Sequence, residues 1–538
     1  LDVDGKNVGD EQKLDEAFIL FKSGNVQQAE QICRGIIKNS STQPANSAQI
    51  DAIQLLGLIC GKQGRYSESA ELLEKVIKLH PELAKAQNNL GFALMKLDKL
   101  EQAKNAFEKA VSLQSDFKQA HNNLGLVLKK LGDFPHAQSA FEKAIQLDAN
   151  YAEAFGNLGM TFLAQGKCEQ AAECLRKAVS LMPDFAEFYN NLGTAVMELE
   201  RFDEALDAFA KAIEIAPQLA QPHHNRSLVM LLLRRFEQGW KEYEWRWMNS
   251  GFSTPHRPFM QPRWNGQTAD VKKLLVWGEQ GIGDEVQFLS FVPVLVAKGI
   301  NVVVECDKRL VPILKRSLPS VSVFARADVP AKELDDDSIT HQIPVCSLPQ
   351  ILGWPIELKP YILPDENLRK QLREKYKAGR DDLLVGISWR SGNSQEGAKR
   401  SINLELWESI FKIPGVKFVS LQYGQCEKQI QQTNERFGIE IIYDRSVNPL
   451  TDLESFCAQT AAMDVVISVD NSTVHFAGVM GREVWTMLPT VPDWRWGLTG
   501  EKTCWYPSMK LFRQSARGDW QPVIAKIAEE LKIKHQNY

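Results

Sequence analysis

The sequence is short of cysteine pairs, of excess charge of either sign and of long apolar runs, and each shortage excludes something. Nine cysteines are scattered singly through 538 residues, with no C-x-x-C spacing. An odd set of isolated thiols excludes a disulfide framework and a zinc site built on cysteine pairs, and it fits a reducing, cytoplasmic setting. Lysine and arginine number 63 against 67 acidic residues, a net charge of −4. That balance offers no basic footprint for nucleic acid or an anionic membrane. The apolar run at residues 228–233 is far too short to cross a bilayer, so no membrane segment is expected. The opening Leu1-Asp-Val-Asp-Gly5 lacks the basic and apolar regions of a signal peptide; starting without methionine, it reads as a truncation or as an expression scar.

What is present in quantity is self-similarity. Asn-Leu-Gly recurs at Asn89, Asn123, Asn157 and Asn191, each step 34 residues. Ala103, Ala137, Ala171 and Ala205 keep the same register, as do Phe107, Phe141, Leu175 and Phe209, and then Ala110, Ala144, Ala178 and Ala212. The pattern resembles the tetratricopeptide repeat (TPR), an antiparallel helix pair with alanine at close contacts and aromatics in the gaps. About seven units are expected over residues 11–251, the outer ones atypical as capping repeats are. A degenerate unit falls near residues 14–47, and Asn225 extends the register forward, with Arg226-Ser227 in place of Leu-Gly.

One column is not required for packing. Asn89, Asn123, Asn157, Asn191 and Asn225 recur at one place on successive first helices. Carboxamides both donate and accept, so a ladder of them suits a peptide backbone of any sequence; equally, they could bond neighbouring helices. The column resembles the asparagine ladder in the repeat arm of the O-GlcNAc transferases, which implies a protein acceptor lying in the groove. Next, residues 236–247 are rich in aromatics. Trp240, Tyr243, Trp245 and Trp247 are expected to cement the last repeat to the next domain, before a linker at 252–270 broken by Pro255, Pro258, Pro262 and Gly266.

From about residue 270 the pattern becomes α/β. Strands are expected at 273–277, 302–305, 321–325, 384–389, 416–421, 439–443, 464–469 and 483–488, separated by helical stretches. The polar stretch 364–382 divides this half, giving two Rossmann-like domains, 271–375 and 376–533, facing each other across a cleft. Ligands of such sheets bind at the carboxyl ends of strands. Four such ends stand out. Gly278-Glu-Gln-Gly-Ile-Gly-Asp-Glu285 follows the first strand, and a glycine turn into a helix would suit an anion. It carries Asp284 and Glu285 and no lysine, so it reads as an acid/base site beside a ligand or as an ordinary strand–helix turn. Val385-Gly-Ile-Ser-Trp-Arg-Ser-Gly-Asn393, with Lys399 and Arg400 beyond, offers Ser388, Arg390 and fixed cations to a pyrophosphate. Gln422-Tyr423-Gly424, after the next strand, reads as a turn or as a hold for a base or ribose edge. Finally Asp470, Asn471, Ser472, Thr473 and His475 form a strand–polar loop–helix unit whose free N–H groups favour phosphate.

Gly-Asp after the first strand, with Asp-x-x-x-x-His-x-Ala-x-x-x-Gly from Asp470 to Gly481, resembles the heptosyltransferases of glycosyltransferase family 9 over about residues 271–533. The resemblance implies a GT-B fold, Asp284 as catalytic base, and Asp470, Ser472, Thr473 and His475 around a donor diphosphate. Asn471-Ser472 replaces the family's usual Thr-Gly. The first sheet is also shorter, which removes area for a lipid-linked acceptor. The whole chain is similar to bacterial TPR-fused glycosyltransferases, including those that modify flagellin. That implies an inverting enzyme that moves a sugar from a CMP-, UDP- or ADP-linked donor to Ser or Thr of a protein, with a CMP-linked nonulosonic acid the best single guess. No metal or other cofactor is expected, because cations stand where phosphate charge develops and Asp335-Asp-Asp337 reads as a solvated run. Gly497 to Trp520 is then the GT-B return, with residues 518–531 crossing back to the first sheet. The alternatives are a TPR adaptor with a relic GT-B half and a transferase acting on a lipid-linked glycan.

Overall fold

The computed structural model describes residues 8–38, 47–392 and 397–538; the opening pentapeptide, residues 39–46 of the first degenerate unit and Asn393 lie outside the described residues. The chain divides into two compact units, Leu1–Pro217 and Gln218–Tyr538.

Among its described residues the first unit has helices and no strand. The helices run from Val8–Lys22 to Phe202–Ile215, and successive helices pack as hairpins. The glycine and aromatic columns of the sequence are two sides of one contact. A Cβ at Gly91 would lie 2.7 Å from the Phe107 ring, at Gly125 2.6 Å from Phe141, and at Gly193 2.6 Å from Phe209. Each ring is fully buried against the bare backbone of its partner helix. Burial of such a ring contributes about 2–3 kcal/mol by area, which is why the two columns keep one register.

The second unit opens with a seventh helix pair, Ala220–Leu232 and Phe236–Tyr243, followed by a 3-10 turn, Glu244–Met248. The repeat register therefore runs past the division at Pro217, and the last pair packs with the sheets instead of ending a domain at residue 251. The junction aromatics explain this. Trp240 packs 6.0 Å from Phe288 and 5.2 Å from Trp494, and Trp247 lies 5.4 Å from Trp277. Trp245, in the 3-10 turn, does not join them; it stacks on His223 of the pair at 3.9 Å. The linker is ordered as well. Its Trp264 is buried and donates its backbone N–H to Gln342, and Arg257 pairs with Glu305.

Four parallel strands form the first sheet: β1 (Lys273–Trp277), β2 (Val302–Cys306), β3 (Ser322–Ala325) and β4 (Ile339–Pro344), in the order β3-β2-β1-β4. Leu274 stands between Val302 and His341. The second sheet holds β5 (Leu383–Ser388), β6 (Val416–Ser420), β7 (Ile441–Ile442), β8 (Val465–Val469), β9 (Val484–Leu488) and β10 (Met509–Arg513), ordered β10-β9-β8-β5-β6-β7 and again parallel. Eight of these ten strands match the sequence reading. β4 and β10 were not anticipated. Both are edge strands, and their mixed sequences, Ile-Thr-His-Gln-Ile-Pro and Met-Lys-Leu-Phe-Arg, lack the apolar run of a central parallel strand.

One expectation for this half is corrected, that of the C-terminal helix. The polar stretch after residue 364 lies between the two sheets and holds a helix, Glu366–Lys377, packed on the helix Leu453–Ala461 of the second sheet layer. Its anchor is Tyr376, buried, whose hydroxyl donates to Asp444 at 2.8 Å. The C-terminal helix, Gln521–Gln536, does not cross back to the first sheet. Val523, Ile524, Ile527 and Leu531 sit in the same core as Leu383, Val385 and Ile467, so its apolar face is spent on the second sheet.

Candidate functional site

In each sheet the strand order reverses once beside the first strand, between β1 and β4 and between β5 and β8. The loops after β1, β5 and β8 leave from these switch points, where open parallel sheets hold ligands. Residues of all three line one cavity of about 550 Å³. The helix Ile282–Phe288 after β1 packs against the helix Ser472–Val479 after β8. Gly283 permits the approach: a Cβ there would lie 3.2 Å from the His475 ring and 3.5 Å from the Ser472 Cα.

The two carboxylates of the first loop part company. Asp284 lines the cavity; one oxygen accepts from Arg495, and the other accepts the Gly281 N–H at 3.1 Å. Glu285 turns inward and is fully buried. The Asp307 N–H donates to it at 2.8 Å, and Arg326 pairs with it at 2.5 Å. Burial pushes its carboxyl up to about 7, against the pull of Arg326. Of the two expected bases, only Asp284 faces the cavity. The loop's other polar residues fasten it to the junction. Glu279 and Arg246, both fully buried, share two hydrogen bonds of 2.8 and 2.7 Å, and Gln280 donates to the Tyr243 hydroxyl at 2.7 Å.

Opposite Asp284 the second sheet contributes alternating charge. Arg400 reaches Asp470 at 3.0 Å and Asp493 at 3.3 Å, and Arg495 bonds Asp493 at 2.8 Å, Gln287 at 2.6 Å and Asp284. Burial would raise the Asp493 carboxyl, but Arg495 and Arg400 outweigh it and hold it at about 2. At Asp470 burial prevails over Arg400 and the carboxyl is raised. His475 is driven down to about 3 by burial and by Arg495, so its ring is neutral; Nδ1 lies 2.9 Å from the Tyr506 hydroxyl. Ser472 lines the same cavity. Asp493 and Arg495 escaped the sequence reading because they lie in the loop after β9, which carries no motif and gains its place only by folding back over the first sheet's helix.

Several of the remaining residues expected to hold a donor are hydrogen-bonded within the second sheet and its loops. Asn471 caps the helix by accepting the Thr473 N–H at 2.9 Å, and its amide donates to Ser388 at 2.8 Å and to the Arg390 carbonyl at 3.1 Å. Gln422 accepts from Ser388 and from the Trp389 and Arg390 N–H groups at 2.8–3.1 Å. Ser388, Thr473 and Gln422 are buried in this network. Arg390 donates to the Gln425 carbonyl at 2.9 Å and lines a second cavity, about 1040 Å³, with Gln422, Tyr443 and Val447. Lys399 is exposed and lines neither cavity.

A family model described as the cilia and flagella-associated protein 70 C-terminal domain matches residues 4–228. The first half of the chain is a tetratricopeptide-repeat solenoid. A TPR protein from Parabacteroides merdae is 16% identical, covering 44% of this chain and 91% of its own, with a TM-score of 0.37. MamA is 26% identical over 30% of this chain and 95% of its own, with a TM-score of 0.28. Protein FlbA of Caulobacter vibrioides is 30% identical over 312 residues, 55% of this chain and 52% of FlbA. The chain thus spans about half the length of the curated relative it matches. No helix among the described residues is long and apolar enough to cross a membrane.

Within the TPR unit the expected ladder is half engaged. Asn89, Asn123, Asn157 and Asn191 are all partly accessible. Asn123 donates to Asn88 of the preceding repeat at 2.9 Å, and Asn157 to Asn122 at 3.0 Å. The column therefore does bond neighbouring helices while keeping one side exposed. Asn225, on the seventh pair, accepts from Gln221 at 3.3 Å.

Proposed function

We propose that the second unit is a glycosyltransferase of GT-B type that moves a sugar from a nucleotide donor to a Ser or Thr hydroxyl of a protein. The observation that carries this reading is Asp284 of one sheet layer facing, across a single cavity, the helix start at Ser472 and the guanidinium of Arg400 from the other. A carboxylate opposite an anion-favouring helix terminus is the pairing a displacement at an anomeric carbon needs. Asp284 takes the hydroxyl proton as that oxygen bonds the anomeric carbon. The bond from that carbon to the phosphate oxygen breaks, and the charge left on phosphate meets Arg400 and the helix N–H groups. Attack from the face opposite the leaving group inverts the anomeric centre. Arg400 must then exchange Asp470 or Asp493 for the phosphate. The adjoining cavity beside Arg390, Gln422 and Tyr443 has room for the nucleoside. CMP-, UDP- and ADP-sugars all remain donors of this reading, with flagellin a candidate acceptor.

Asp284→Asn tests it. Thermal stabilisation by the preferred nucleotide is expected to persist, while the sugar mass added to co-expressed acceptor disappears. Unchanged transfer by this variant would falsify the role of Asp284. The rival reading, a TPR adaptor without chemistry, is favoured by one observation: the family match ends at residue 228, within the repeats. An adaptor would show no stabilisation by any nucleotide.

A further inference from the structure

The cavity wall contributed by the seventh helix pair contains a histidine that neither the sheets nor the repeats account for. His224 stands 34 residues after Asn190, in the column Asn88, Asn122, Gly156, Asn190. Earlier in that column, Asn88 and Asn122 accept hydrogen bonds from the next repeat. After the seventh pair no further repeat follows; the chain turns through Glu244–Met248 towards β1. The residue at this register is therefore released from ladder duty, and it borders the 550 Å³ cavity with Leu228 and Tyr243. Its neighbour His223 is buried and stacked on Trp245, which shows that the two imidazoles have different tasks.

We propose that His224 is a contact for the acceptor polypeptide, its ring N–H donating to a backbone carbonyl beside the residue to be modified. The proposal rests on the transferase reading for the chemistry that takes place next to it. Nδ1 of His224 lies 3.5 Å from the Asn249 side-chain amide nitrogen, a donor, which favours the tautomer with its proton on Nε2. Burial and the nearby Arg246 charge hold the ring down to about 4, so it is neutral at pH 7. A neutral N–H donor beside Leu228 and Tyr243 suits a peptide carbonyl better than a phosphate, for which cations stand on the opposite wall. The wall is also tied to the loop carrying Asp284, because Gln280 of that loop bonds the Tyr243 hydroxyl. A peptide held by His224 is thereby presented to that loop. His224 is in this sense a positioning residue and a specificity determinant, reading backbone and not sequence.

The test uses the full chain. Random twelve-residue peptides with a central Ser or Thr are selected on the wild type, and the best binder is then measured on His224→Ala and His224→Gln by fluorescence anisotropy. Stabilisation by CMP, UDP and ADP is measured in parallel. His224→Ala is expected to weaken peptide binding about fivefold, the loss of one neutral hydrogen bond. His224→Gln, which can donate from a similar place, should recover to within about twofold, and nucleotide stabilisation should be the same in all three proteins. Peptide binding unchanged in His224→Ala, no peptide captured by the wild type, or a matching loss of nucleotide stabilisation would each overturn the assignment. If no nucleotide stabilises the wild type while His224→Ala still loses peptide, the contact stands and the transferase reading fails.

Discussion

Breaking the buried pair between Arg246 and Glu279 should destabilise the second unit by several kcal/mol. Both side chains are fully buried. Glu279 receives two hydrogen bonds from Arg246 and one from the Cys346 N–H at 3.0 Å, while Arg246 also reaches Ser347 at 2.8 Å and Glu244 at 2.9 Å. Burial alone would lower the guanidinium's pKa; Glu279 and Glu244 together hold it above the ordinary value. Removing one partner of such a pair leaves an uncompensated charge in the interior and costs about 3–5 kcal/mol. Arg246→Met should fall in that range. Glu279→Gln should sit at its lower end, about 3 kcal/mol, because Glu244 still faces the guanidinium. The double variant Arg246→Met with Glu279→Met should recover at least about 1–2 kcal/mol relative to additivity, since no charge is stranded. Urea unfolding followed by tryptophan fluorescence isolates the right unit, because all 13 tryptophans lie between Trp240 and Trp520. A cost below about 1 kcal/mol for Arg246→Met, or strict additivity in the double variant, would refute the reasoning.

Three other outcomes are expected from the same structure. Glu285 is raised to about 7 in the folded state from an ordinary 4.5, so the native chain binds its proton more tightly than the unfolded chain does. The stability this contributes, up to about 3 kcal/mol, is fully present below pH 4.5 and is lost as pH rises through 7. Glu285→Gln should remove that decline from a pH series of urea midpoints. Asn471→Ala should cost about 2 kcal/mol in the same assay, through a lost helix cap and two lost hydrogen bonds to the Ser388 hydroxyl and Arg390 carbonyl, both of which keep Gln422 as a partner; Asn471→Asp, which retains the cap, should cost less. Asp284→Asn should abolish transfer while preserving nucleotide stabilisation, since its carboxylate touches neither of the groups expected to hold phosphate, Arg400 and the Ser472 helix start.

The repeats were legible because they are local. A helix pair meets the same neighbours every 34 residues, so the glycine at Gly91 and the ring at Phe107 recur together and announce their own contact. The central strands were legible for a related reason: burial on both faces writes an uninterrupted apolar run, as in Val465–Val469. The edge strands β4 and β10 carry no such run and went unread. The candidate site was legible only in part. Asp284, Ser472 and His475 sit in strand–loop–helix units whose chemistry shows in the linear order. Ser388, Asn471 and Gln422 sit in such units too, but their side chains are consumed in holding β5, β6 and β8 together, and linear order does not show which way they turn.

By itself, then, the sequence determined the solenoid, the parallel sheets and the loops on which a site could be built, because each depends on neighbours a few residues or one repeat away. Tertiary structure alone decided which of two adjacent carboxylates faces the cavity, because a helix turns successive side chains by about 100° and only packing says which direction is solvent. It also brought His224, 60 residues before Asp284, and Asp493 and Arg495, more than 200 residues after it, to that cavity. Their meeting depends on how the junction and two sheet layers close on one another, and no local pattern in the chain encodes that closure.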